Sequence, residues 1–150
     1  MKKIIFVCLG NICRSPMAEF VMKDIVEKAG LSHEFEIASA ATSTYEIGNP
    51  VYPPARQKLA EHGIDCKGKT ARQITKKDYD YYDYIVAMDQ SNIRNLKSML
   101  SNDPQGKISL LMDYTSRPAD VADPWYTGDF QATWDDVSEG CEALLKFIMK

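Results

Sequence analysis

The apolar positions of this chain alternate between two spacings. Ile4, Ile5, Phe6 and Val7 form a short unbroken apolar run, the pattern of a strand buried on both faces. Ala18, Val21, Met22, Ile25, Val26 and Ala29 then recur at the spacing of a helix packed on a sheet. Ser15 suits its N-cap, Pro16 its first helical position and Gly30 a left-handed stop. Residues 35–40 predict a second strand. Residues 42–54 predict a long loop, punctuated by Gly48-Asn49-Pro50 and Pro53-Pro54. A short helix follows over 55–62, and Thr75 with Asp78 reads as a capping box opening a brief helical turn. Residues 84–88 predict a third strand, 91–100 a helix with Ile93, Leu96 and Leu100 inward, and 107–111 a fourth strand. Residues 112–130 read as loop, and Trp134, Val137, Cys141, Leu144, Leu145 and Ile148 mark a closing helix. Strand alternating with helix predicts one α/β domain over 1–150. It has three layers, a four-stranded parallel sheet with helices on both faces in a Rossmann-like arrangement, and right-handed crossovers.

The chemistry concentrates where the first strand meets the first helix. Residues 8–15 read C-L-G-N-I-C-R-S. Ligands of open parallel sheets bind outside the carboxyl ends of the strands, which is where Cys8 falls. Loop N–H groups and a helix N-terminus pointing at one spot make an anion site, and the same field stabilises a thiolate. Arg14 adds a planar fork for two phosphate oxygens. The Ser15 hydroxyl has the thiolate within reach, and Asn11 is a residue type that tolerates left-handed backbone in mid-loop.

Spacing alone does not single this loop out. Residues 66–72, C-K-G-K-T-A-R, repeat the Cys-to-Arg separation, and residues 63–70, G-I-D-C-K-G-K-T, match a nucleotide-binding loop literally. Both mechanisms need a strand entering the loop and a helix leaving it. Here a helical pattern ending at Gly63 precedes the segment, and a polar stretch rich in Thr, Asp and Tyr follows. It reads as a surface loop of lysines. Composition is that of an ordinary globular chain, 45% hydrophobic and 26% charged. The net charge of −3 predicts no broad basic face, which argues against nucleic-acid binding. No apolar run reaches membrane-spanning length. The apolar N-terminal stretch ends at Gly10-Asn11, too short for an export signal. Four Cys without paired metal spacing point to reduced thiols in a cytoplasm. For a general acid, the late loop offers Asp113, Asp120, Asp123 and Asp129, and periodicity does not choose among them.

Over nearly its whole length the chain resembles the low-molecular-weight protein tyrosine phosphatases, and so their phosphotyrosine phosphatase I fold. The motifs that carry the resemblance are C-L-G-N-I-C-R-S at 8–15, S-A-A-T-S-T-Y-E-I-G-N-P at 39–50 and A-R-Q-I-T at 71–75. D-Y-I-V-A-M-D-Q-S-N at 83–92 and D-P-W-Y at 123–126 complete it. The resemblance implies hydrolysis of phosphotyrosine in proteins, and of small aryl phosphates, through a phosphocysteine and without metal or cofactor. In that scheme Cys8 attacks phosphorus. Arg14 and the amides of Leu9, Gly10, Asn11, Ile12 and Cys13 hold the oxygens, and Asp123 protonates the leaving phenolate. Asn11, Ser15, Ser39 and Asn92 correspond to supporting residues, and Tyr45, Trp125 and Tyr126 to aromatic walls, with Leu9 and Ile12 at the loop edge. Tyrosine-phosphorylated proteins are the implied partners, phosphate-like anions the implied inhibitors, and a monomer with at most weak dimerisation the implied state.

Two positions depart from, or divide, the family. Many relatives carry a His just before A-R-Q that props the loop Asn; Lys69 stands near that place here, with a one-residue insertion around Lys67-Gly68. Arginine-directed relatives carry Thr where this chain has Ile12, which argues for phosphotyrosine. Cys13 reads either as a small buried filler or, by resemblance, as a trap for oxidised Cys8. His62 reads as a helix-end residue and His33 as exposed loop. Tyr79, Tyr81, Tyr82 and Tyr84 read as packing and solvated edge. Two rivals remain distinguishable. Arsenate reductases of this fold use two further cysteines, and residues 75–95 contain none. A non-catalytic phosphotyrosine-binding module needs neither a nucleophile nor an acid.

Overall fold

A computed structural model describes all 150 residues. The chain runs β1 (Lys2–Cys8), α1 (Arg14–Lys28), β2 (Phe35–Ala41), α2 (Pro53–Glu61), α3 (Lys76–Tyr81) and β3 (Tyr84–Ala87). It continues with α4 (Gln90–Met99), β4 (Ile108–Leu110), α5 (Pro124–Thr127) and α6 (Phe130–Ile148). The four strands are all parallel, in the order β2-β1-β3-β4, so β1 is central. Its alternation divides the core. Ile4, Phe6 and Cys8 face α1, α2 and α6, whereas Ile5 and Val7 face Tyr79 before β3 and Leu96 and Leu100 of the α4 region. Burying both faces is why the run 4–7 reads as uninterrupted apolar sequence.

Local chemistry moves several predicted boundaries. α1 begins at Arg14 with Cys13 at the N-cap position, so Ser15 is not the cap. Pro16 still lies in the first turn, where a missing N–H costs no intrahelical bond. Gly30 is left-handed, as expected of a stop. α2 starts at Pro53 because the Pro pair fits its first positions rather than closing the loop before it. Asp89 caps α4 with a reciprocal bond to Asn92, and Thr75 caps α3 with Asp78 as predicted. The stretch expected to be loop holds a 3-10 turn over Leu111–Tyr114 and the short α5.

The 3-10 turn anchors the late loop against α6 at a point of close approach. A Cβ added at Gly140 would lie 2.5 Å from Leu111 Cγ, and Leu111 is fully buried. Gly140→Ala gains about 1 kcal/mol of helix propensity. It forces an overpacked contact costing about 1–3 kcal/mol against a side chain with nowhere to swing. The expected net result is destabilisation, seen as a fall of a few degrees in thermal midpoint, about 2–4 °C per kcal/mol for a chain of this size. An unchanged or raised midpoint contradicts this account.

Candidate active site

The loop after β1 is shaped by bonds that turn its carbonyls outward. Thr42 N–H donates to Cys8 O (3.0 Å), Ser43 donates to Leu9 O through both N–H (3.1 Å) and Oγ (2.7 Å), and Tyr52 N–H donates to Ile12 O (2.9 Å). Asn11 takes the left-handed bend at φ 60°, and its N–H donates to Cys8 Sγ at 3.3 Å. The N–H groups of Leu9, Gly10, Ile12 and Cys13 have no acceptor within the chain. The loop that follows the thiol therefore offers a run of free donors, continued by the unsatisfied first turn of α1.

Beneath the loop lies a polar web. Asn11 Nδ2 donates to Ser15 Oγ (2.8 Å) and Ser39 Oγ (3.0 Å), Asn11 Oδ1 accepts from Arg72 N–H (3.2 Å), and Ser15 Oγ lies 3.0 Å from Cys8 Sγ. Ser15, displaced from the capping role, instead meets the thiol. Cys13 is buried beside Cys8, and both are free. Burial, then the proximity of Cys8 and Asp123, pushes the Cys13 thiol up to about 12, so it does not compete as a thiolate.

Arg14 ties the loop to the rest of the sheet edge. It is 3% exposed, and Nη1 donates to Asp89 Oδ2 (2.8 Å) and Val121 O (3.0 Å), while Nη2 donates to Asp123 Oδ2 (3.3 Å). Burial opposes its charge, but Cys8, Asp123 and Asp89 outweigh that and push its pKa above the usual arginine range. Val121 N–H donates to Met88 O (2.8 Å), pinning the late loop to the end of β3. Of the four candidate acids, only Asp123 lines the pocket. Asp113 is exposed on the 3-10 turn, Asp120 accepts from Gln90 N–H and Asp129 caps α6. Asp123 itself caps α5 through Oδ1 to Trp125 N–H (3.0 Å).

The pocket is a cavity of about 230 Å³ running from Cys8 and Arg14 to a rim of Leu9, Tyr45, Trp125 and Tyr126. Tyr45, Trp125 and Tyr126 are 79%, 55% and 80% exposed, so these aromatics are walls rather than core. Tyr52, unnoticed in the sequence, supports Trp125 with ring centroids 5.0 Å apart. Other residues of the site carry little signal in the sequence. Asp89 ends the Y-I-V-A-M-D run at a strand's carboxyl end, which was its only signal. Glu46 lines the pocket wall. Glu19 is a charge on the buried face of α1, one turn before Met22. Asn92 stands one step back, accepting from the N–H groups of Met88 and Asp89 and so shaping the turn that presents Asp89.

The two decoys are occupied elsewhere. Arg72 forks onto Asp78 at 2.9 and 3.1 Å, and Lys69 Nζ donates to Ser39 O at 2.9 Å. No long helix leaves the 63–70 segment. His62 ends α2 and stacks on Trp134, far from any proton-transfer role, and His33 is exposed.

A family model for low molecular weight phosphotyrosine protein phosphatases matches residues 3–150. The low molecular weight protein-tyrosine-phosphatase YfkJ of Bacillus subtilis (strain 168) is 43% identical, covering 100% of this chain and 97% of that protein. Its crystal structure superposes with a TM-score of 0.96, covering 99% of this chain and 95% of that one. SP-PTP, the low molecular weight protein tyrosine phosphatase from Streptococcus pyogenes, superposes at 0.89 with 45% identity, covering 100% and 95%. Fold, loop and full-length similarity agree: the chain belongs to the low molecular weight phosphotyrosine protein phosphatase family.

Proposed function

We propose that the protein hydrolyses phosphotyrosine in proteins, and small aryl phosphates, in two displacements at Cys8. In the first, the Cys8 thiolate forms a bond to phosphorus as the bond to the aryl oxygen breaks, and the leaving phenolate takes a proton from Asp123. In the second, Asp123 takes a proton from water as that water attacks phosphorus, and the S–P bond breaks to return thiolate and release phosphate. Arg14 and the free loop amides meet the charge on the equatorial oxygens without reorganising. The observation that carries this reading is the bridge from Arg14 to Asp123, which sets an acid against the anion cradle at the mouth of one pocket. No step calls on a metal or cofactor.

Depth and aromatic walls support selectivity for a flat aryl ester over short phosphoserine. The expected preference for phosphotyrosine over phosphoserine in matched peptides is about 100-fold in kcat/KM, set by pocket contacts. EDTA leaves the rate unchanged, and phosphoarginine is the poorer substrate because Ile12 offers it no hydroxyl. Turnover that needs a divalent metal, or equal rates on phosphotyrosine, phosphoserine and phosphoarginine, would sink the assignment. The oxidation-sensitive thiolate this chemistry uses fits a reducing compartment, the cytoplasm. No helix of the structure is long and apolar enough to cross a membrane.

A further inference from the structure

A buried carboxylate sits at the far end of the polar web. Glu19, on the second turn of α1, is 5% exposed. It accepts from Ser39 Oγ at 2.5 Å and Lys23 Nζ at 2.6 Å, and Lys69 Nζ lies 3.7 Å away. A carboxylate only accepts, so Ser39 must direct its one proton at Glu19. Ser39 Oγ is then an acceptor for Asn11 Nδ2. The Asn11 amide cannot flip, because its Oδ1 already faces the Arg72 N–H. Its other Nδ2 proton goes to Ser15 Oγ, and the Ser15 proton is left for Cys8 Sγ. Glu19 thus sets the Ser39 proton and the Arg72 N–H sets the Asn11 amide, and the two together leave the Ser15 proton for the thiol.

Lys69 is the cation built into this arrangement. Its side chain is 12% exposed against 44% for Lys23, so water screens the Lys23 pair far more. Lys69 also donates to the Ser39 carbonyl at 2.9 Å, holding the strand residue whose hydroxyl begins the relay. We propose that Lys69, paired with Glu19, is a positioning residue that orients the Ser39–Asn11–Ser15 relay so that Ser15 donates its proton to the Cys8 thiolate. This rests on the reading of Cys8 as nucleophile. Burial pushes the Lys69 ammonium below the usual lysine range; Glu19 opposes that, and Arg72 and Lys23 add to it. The titratable and charged groups facing the thiol pocket are Arg14, Cys13, Asp123, Glu46, Tyr45 and Tyr126, with Asp89 behind Arg14. The variants below leave all of these in place.

The test is the pH dependence of Cys8 alkylation by iodoacetamide, an uncharged reagent, with Cys8→Ser as the blank for the other thiols. Wild type is compared with Lys69→Met, Lys69→Gln, Glu19→Gln and the Lys69→Met/Glu19→Gln double variant. Lys69→Gln removes the charge but keeps a polar donor, one bond shorter, on the side of the Ser39 carbonyl, so a folded variant is available if Lys69→Met is not. Glu19→Gln can both donate and accept, which leaves the Ser39 proton without a fixed acceptor and lets a second donor compete with Asn11 Nδ2 for Ser39 Oγ. The expected result is a half-maximal pH raised by about one unit in each single variant, a tenfold lower rate below the midpoint. The double variant moves no further than the singles, since both act through one relay. A midpoint that stays at the wild-type value in the folded Lys69 variants, or shifts that add in the double variant, overturns the proposal even where thermal stability falls. Alkylation needs no phosphate ester. A wild type inactive on aryl phosphates with shifted variants therefore defeats the hydrolase reading and keeps this one, and an active wild type with unmoved midpoints does the reverse.

Discussion

Cys8→Ser is expected to abolish aryl phosphate hydrolysis, lowering kcat by about 10⁴-fold or more, the scale set by removing a covalent nucleophile. The substitution exchanges sulfur for oxygen in a side chain that is already buried, so the loop has no cause to rearrange. What is lost is the nucleophile. The Asn11 N–H and the Ser15 hydroxyl lie against position 8, in a loop whose Leu9, Gly10, Ile12 and Cys13 N–H groups have no acceptor within the chain. They stabilise an anion there, but a serine hydroxyl does not ionise as a thiol does. The cradle and Arg14 persist, so phosphate-like anions should still bind. The measurements are steady-state rates on an aryl phosphate, inorganic phosphate affinity, and mass spectrometry of the acid-quenched enzyme. Wild type should show a phosphoryl adduct on the peptide carrying Cys8, and the variant none. Retention of more than about 1% of wild-type kcat would assign the nucleophile elsewhere.

The legibility of this site follows the range of the interactions that build it. The thiol, the bend at Asn11, Arg14 and the helix that follows are joined by local geometry. A strand, a turn and a capped amphipathic run stand next to one another in sequence, so their juxtaposition needs no tertiary information. Even there, the cap was misplaced by two residues. Ser15 has the chemistry of an N-cap, and nothing local reveals that Cys8 and Asn11 claim its hydroxyl instead. The distant parts were legible only as candidates. Asp113, Asp120, Asp123 and Asp129 all look like turn and cap residues, and three of them are accounted for in that way or by exposure. Asp123 caps a helix too, and differs only because the late loop is pinned to Met88 and delivers it to Arg14. Glu19 and Asp89 take their meaning from partners far along the chain. A charge on a buried helix face was the visible clue to the first. Lys69, noticed as a departure from relatives, gains a role only when Ser39 and Glu19 are seen beside it.

Asp123→Asn is the complementary prediction, because it separates the acid from the scaffold. Asparagine keeps an oxygen for the Trp125 N–H, so the cap of α5 survives. Arg14 keeps Asp89 and the Val121 carbonyl, which hold it without the Asp123 contact. Arg14 is expected to turn its free fork to phosphate oxygens when substrate binds, releasing the Asp123 carboxyl toward the ester oxygen. What the variant loses is a transferable proton, worth about 10²–10⁴ in rate. The loss should depend on the leaving group: largest for phenyl phosphate and phosphotyrosine, whose phenolates leave poorly, and smallest for aryl esters that depart readily without protonation. The dependence of kcat/KM on leaving-group basicity therefore steepens. Asp120→Asn, which changes a carboxylate bonded to Gln90 N–H outside the pocket, should leave the leaving-group dependence as it is. A uniform loss across all esters in Asp123→Asn would reduce Asp123 to a structural cap, and a steepened dependence in Asp120→Asn would move the acid to that neighbour.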